Sequence, residues 1–186
     1  MPNSDSNFLR TIILLSVCFA FSGTTSSLTV SASSIVGYEI AGNKALATLP
    51  IAFHLIGTML AGIPASLLMK RVGRRYGFMI GTGIGAIGAA AATFSIIYSN
   101  FVLFCISIFC LGILSGFTQL YRFTAADVAS QEFRTKAVSL VMFGGILAGF
   151  IGPAVASKAK DLIADAPFAG SYLFVILFHV LIVAIL

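Results

Sequence analysis

Three sets of residues in this sequence have types and spacings that could do chemistry. Ser115, Gln119 and Arg122 stand at i, i+4 and i+7, which puts them on one face of a helix. A guanidinium among neutral hydrogen-bonding groups can grip a carboxylate or phosphate with two parallel bonds, so the matching ligand is an anionic or zwitterionic solute. Thr24, Ser27, Ser31 and Ser34 also share one helical face. His54 and His179 each lie inside an apolar run, as a proton carrier or as a packed neutral ring. Plainer readings stand beside these. A hydroxyl stripe can bond between helices, worth about 0.6–2 kcal/mol per contact in lipid. Arg122 can snorkel to headgroups.

Other chemistry finds no residues to carry it. Cys18, Cys105 and Cys110 are an odd number, scattered through apolar runs, with no Cys/His spacing that suits zinc. No metal or cofactor is therefore expected. Gly83-Ile-Gly85-Ala-Ile-Gly88 fits a dinucleotide fingerprint, but that motif needs a preceding strand in a soluble βαβ unit. Here it lies within 23 uncharged residues, where Gly81, Gly85 and Ala89 read as close helix packing.

The elements that must hold these residues are legible from charge. Only 9% of the 186 residues are charged and 59% are hydrophobic, against about 25% and 45–50% in soluble domains. A soluble enzyme, a disordered tail and a nucleic-acid binder are all poor fits, despite a net charge of +5. Stretches free of Asp, Glu, Lys and Arg cover 11–36, 45–69, 76–98, 101–121, 137–157 and 168–186, each 19 to 26 residues long. A span needs about 20 apolar residues, and in lipid every backbone group must be satisfied internally, so six membrane helices are predicted. The fourth helix is taken on to 126. The runs do not alternate as barrel strands do.

The connecting segments set the orientation. Arg10, Lys70, Arg71, Arg74, Arg75, Arg134 and Lys136 fall on one side, and Lys44, Lys158 and Lys160 on the other. The positive-inside rule then predicts both termini in the cytoplasm. Arg10 followed by 11–21 could be read as a signal peptide, but the run continues uncharged to Val36 without a small-residue cleavage site. The sixth run reaches Leu186 with no basic anchor, so the sequence is expected to be part of a longer one.

Two motifs give these helices a family likeness. Lys70-Arg71-Val-Gly73-Arg74-Arg75, between the second and third spans, resembles the loop 2–3 motif of the major facilitator superfamily, G-x-x-x-D-R/K-x-G-R-R/K. Arg71, Gly73, Arg74 and Arg75 match. Ser66 replaces the first glycine, and Lys70 stands where the family has Asp, so the lock that this Asp makes with the second half of the transporter is in doubt. The resemblance implies that Asp127, after the fourth span, pairs with Arg74. Gly144-Gly145 through Gly149, Gly152 and Pro153 is similar, in part, to the glycine-rich fifth helix of superfamily antiporters. Pro153 also leaves the carbonyl of Gly149 without its helical partner.

The resemblance implies an all-α membrane protein, residues 1–186 forming the N-terminal six-helix lobe of a transporter. A second lobe, missing from this sequence, would be its partner, with membrane lipid and a small solute. Thr24, Ser27, His54, Ser115, Gln119 and Arg122 become candidates for the solute pathway. Lys70, Arg71, Gly73, Arg74, Arg75, Asp127, Gly149, Gly152 and Pro153 become candidates for gating. A bacterial inner membrane is the expected location. No Asp or Glu lies inside a span, so any proton coupling falls to His54, to Glu39 near the outer mouth, or to the missing lobe. There are two alternatives. A six-helix intramembrane serine protease of the rhomboid kind would use Ser115, His179 and His54, but the G-x-S-G motif and the glycines after His179 are lacking. An isolated lobe could also be inert.

Overall fold

The computed structural model describes residues 3–164 and 166–186, with side chains from Phe8 onward. Among them are seven α-helices: α1 (Asn3–Ile40), α2 (Leu49–Val72), α3 (Arg74–Ile97), α4 (Phe101–Thr118), α5 (Leu120–Val128), α6 (Arg134–Ala159) and α7 (Ala169–Ile185). A 3-10 turn at Lys44–Leu46 precedes α2. Each predicted span coincides with one rod. The fourth rod is α4 and α5 together, joined through Gln119, whose backbone is helical. Five rods are long and apolar enough to cross a bilayer, and α7, with 17 residues, is shorter.

Local chemistry sets the boundaries. Pro50 sits in the first turn of α2, where its missing N–H costs nothing. Gly73 separates α2 from α3 at φ 86° and ψ 161°, a conformation that essentially only glycine adopts. Its N–H caps α2 by donating to the Met69 carbonyl at 3.0 Å. Asn100 starts α4 by accepting from the Leu103 N–H at 3.0 Å.

Packing follows a cross-paired plan. α1 packs most extensively against α6, and α2 against α4. α1 meets α4 at the centre, while α3 meets α7 behind them. Thus the first rod of each triplet pairs with the second rod of the other. This is the pattern that an approximate two-fold relation between the triplets would give. One core cluster, around Phe104, Ile108, Leu111 and Tyr172, fills the end near the α6–α7 connection. A second, around Met69, Phe78, Phe117 and Tyr121, fills the basic end, where the Phe78 and Tyr121 rings stack with centroids 3.9 Å apart. α2 and α6 are the least buried of the long rods. Their outer surfaces carry exposed Met59, Leu60, Ile63, Phe143, Ile146 and Phe150.

Candidate functional site

Lipid tails give apolar helices no reason to separate from lipid, so association depends on close backbone approach and interhelical hydrogen bonds. Both cross-paired seams are built this way. In the α2–α4 seam, a Cβ on Gly112 would strike the His54 carbonyl, and one on Gly116 would come within 2.6 Å of Ala61 Cβ. Thr58 Oγ1 lies within hydrogen-bond reach of two carbonyls, His54 at 2.9 Å and Gly112 at 3.1 Å. In the α1–α6 seam, a Cβ on Gly144 would lie 2.7 Å from the Ser16 carbonyl, and one on Gly152 would lie 2.8 Å from the Leu28 nitrogen.

A polar junction ties the two central rods to α2. Ser115 Oγ of α4 lies 2.6 Å from Ser26 Oγ of α1 and 3.3 Å from His54 Nε2 of α2. It also lies 3.2 Å from the Leu111 carbonyl of its own helix. His54 Nδ1 is buried without a hydrogen-bond partner. Ser115 carries one proton for two acceptors within reach, the Leu111 carbonyl and His54 Nε2, so either ring tautomer closes the Ser115–His54 contact.

The other pathway candidates are dispersed. Ser115 is buried, Arg122 half-buried and Gln119 exposed, and no hydrogen bond joins them. Gln119 joins α4 to α5 with a helical backbone, φ −60° and ψ −22°, and its N–H donates to the Ser115 carbonyl at 3.3 Å. The Arg122 guanidinium lies 5.0 Å from the Phe123 ring centroid, and its Nε is buried without a hydrogen-bond partner. On α1, buried Thr24 donates back to the Ala20 carbonyl at 2.8 Å, and Ser31 to the Ser27 carbonyl at 2.8 Å. These two hydroxyls are spent on their own helix. Ser27 instead reaches across to the Gly149 carbonyl at 3.4 Å. That carbonyl is the acceptor that Pro153, four residues on, cannot serve. Gly152 lets α1 come close enough for the contact. Gly149 itself has open space where a side chain would be, so its hydrogen would not be the packing contact here.

At the basic end, the Arg74 guanidinium pairs with the Asp127 carboxylate through Nη2 and Oδ2. Asp127 lies inside α5 rather than beyond its end. Arg134 Nε donates to the Ala126 carbonyl at 3.1 Å, joining α6 to the last turn of α5. Lys70 and Arg71 occupy the last turn of α2, where cations suit the helix dipole. A cavity of about 440 Å³ opens between the ends of α2, α3 and α5, and a neighbouring one of about 200 Å³ is lined by Arg74, Arg75 and α1.

The proposed protease dyad is not assembled. Ser115 bonds within the α1–α2–α4 junction, whereas His179 Nδ1 takes the Val175 carbonyl and its ring stands against Gly85 of α3. Neither Ser115 nor His54 lines either of these two cavities. The residues that spacing missed are Ser26 and Thr58. Ser26 lies one position off the chosen α1 stripe, and Gly112-x-x-x-Gly116 was the signal that could have located Thr58.

The sequence profile of the Major Facilitator Superfamily matches residues 14–186. The riboflavin transporter RfnT of Brucella anthropi is 34% identical over 164 residues, covering 88% of this chain and 41% of that protein. YdeG of Bacillus subtilis, an uncharacterised MFS-type transporter, is 31% identical over 160 residues, covering 84% and 36%. The crystal structure of the E. coli fucose:proton symporter FucP has a similar fold, with a TM-score of 0.67 at 18% identity over 95% of this chain and 48% of that one. The chain thus spans under half the length of these relatives.

Proposed function

The chain belongs to the Major Facilitator Superfamily, and on that premise we propose that residues 1–186 form the N-terminal lobe of a secondary transporter that moves a small solute by alternating access. The observation that carries this reading is the profile match over 14–186 by a chain spanning only 41% of the riboflavin transporter it resembles. A second six-helix lobe would complete the pathway, and the two would rock about a midplane site. The reading assigns no catalytic role and no cofactor. It places the chain in a bacterial inner membrane with both termini cytoplasmic. The excess of basic residues at the Lys70–Arg75 end supports that orientation.

Within this lobe the reading gives His54, Ser115 and Ser27 the task of holding α1, α2, α4 and α6 in register. Gln119 and Arg122 are the residues offered to the solute or its counter-ion. The relative's name makes riboflavin the first solute to test, beside carboxylate and phosphate compounds suited to Arg122. The experiment is uptake into proteoliposomes by this lobe joined to a second six-helix lobe, under imposed pH and ion gradients. Saturable uptake is expected for one solute class. Correctly inserted protein that shows no saturable uptake under any gradient would overturn the proposal. Arg122→Lys and Arg122→Gln then test the site: both are expected to lower uptake, and full activity with Lys would make Arg122 an interfacial anchor.

A further inference from the structure

We propose that His54 is the site at which this lobe takes up a coupling proton, reached through the hydroxyls of Ser26 and Ser115. The inference rests on the transport reading and names the ion that would drive it. Proton relays inside membranes are built from Asp, Glu and His. None of the six apolar runs holds Asp or Glu, which leaves His54 and His179. The two rings differ in what touches them. Among the described residues, His179 is hydrogen-bonded only to the Val175 carbonyl of its own helix, and Gly85 stands against its other nitrogen. His54 Nε2 ends a row of hydroxyls from two other rods, 3.3 Å from Ser115 Oγ, which is 2.6 Å from Ser26 Oγ. Ser26 is half-buried, whereas Ser115 and His54 are 6% and 4% exposed, so the row leads inward from its more open end. The backbone of His54 is fixed by the close approach of Gly112 and by Thr58, which lies within reach of both carbonyls.

The proton transfer balances on these groups. In the tautomer with its proton on Nδ1, the ring takes the Ser115 proton at Nε2. Ser115 takes the Ser26 proton, and Ser26 takes one from a hydronium ion. The products are an imidazolium, two intact hydroxyls and water. The charged ring then donates through Nε2 to Ser115, whose own proton turns to the Leu111 carbonyl at 3.2 Å. Its Nδ1–H is left buried without an acceptor. An unpaired buried donor is costly, so protonation favours an arrangement of α2 against α4 that gives Nδ1 a partner. Binding of the proton is thereby linked to the placement of a rod. No fixed charge competes for the ring. The rods packed on α2 are α1, α3 and α4, and 11–36, 76–98 and 101–121 hold no Asp, Glu, Lys or Arg. The titratable side chains on those rods are Cys18, Cys105, Cys110 and tyrosines at the ends of 76–98 and 101–121, and none of them is hydrogen-bonded to His54.

The first test is nitrogen NMR of the chain, with isotope-labelled histidine, in lipid nanodiscs. The chain has two histidines, so His179→Gln leaves only the His54 resonances. As the pH is lowered, these are expected to move reversibly from neutral to imidazolium positions with the fold retained. A ring that stays neutral until the chain unfolds would overturn the proposal. Ser115→Ala is expected to slow exchange of the ring proton with water by about a hundredfold, since a positioned hydroxyl no longer carries it. An unchanged rate would overturn the relay. The second test is uptake by this lobe joined to a second six-helix lobe, with whichever solute gives saturable uptake in proteoliposomes. An inward proton gradient of about one pH unit is expected to concentrate that solute up to about tenfold at one proton per molecule. His54→Gln keeps a partner for Ser115 but takes no proton, and should abolish the accumulation; His179→Gln should keep it. Wild-type uptake that ignores the gradient, or full accumulation by His54→Gln, would overturn the proposal. Absence of saturable uptake for every solute would overturn the transport reading instead, and the titration would still decide whether His54 takes a proton.

Discussion

Arg74 and Asp127 hold opposite charges across the ends of α3 and α5, with side chains 43% and 55% exposed. Water and salt reach both, so the pair stabilises the fold by no more than about 1 kcal/mol. A double-mutant cycle with Arg74→Gln and Asp127→Asn is expected to give a coupling of about 0.3–1 kcal/mol that shrinks in high salt. A coupling indistinguishable from zero at low salt would make the contact incidental. This pair was legible through the family resemblance: the loop motif supplied Arg74, and the acidic residue expected at the end of the fourth helix pointed to Asp127. The Ser26–Ser115–His54 junction was not. It depends on which faces of three rods meet, and a single sequence does not encode that rotation in its spacing alone. The hydroxyl stripe on α1 misled for a local reason: Thr24 and Ser31 satisfy themselves on their own helix.

The helices meet through missing side chains, so the strongest element-scale tests add one. Gly112→Ala puts a methyl group against the His54 carbonyl and must push α2 from α4, at a cost of about 1–3 kcal/mol. Gly83→Ala, in α3, meets nothing within 4 Å and should be neutral or stabilising by up to about 1 kcal/mol. Melting midpoints of the two variants in one detergent decide it, and equal midpoints would refute the close-packed seam. The Ser27–Gly149 contact makes a different prediction. Ser27→Ala should cost about 0.6 kcal/mol in the native helix. It should cost nearly nothing in a Pro153→Ala background, where the new N–H serves the Gly149 carbonyl. The same cost in both backgrounds would mean that Ser27 does not compensate for the proline. Pro153 itself was legible, as was the carbonyl it frees. Its partner lies 122 residues away on α1, a distance no local pattern spans.

At the scale of the whole molecule, six apolar runs were enough to give six rods, since hydrocarbon permits few other folds. Their cross-pairing was not legible from composition. Single cysteines placed at Asn43 and Lys160 are expected to react with an impermeant maleimide from one side of the membrane, and cysteines at Arg75 and Glu132 from the other. Labelling of Arg75 and Asn43 positions from the same side would refute the alternation. The two glycine seams also bear on how such a molecule can change over generations. A position whose neighbour is another helix's backbone accepts no larger residue, so inherited variation there is expected to hold to glycine. Exposed positions beside the seams, such as Met59 and Ile146, carry no such restriction. Inherited change is therefore expected at the borders of the seams before the seams themselves.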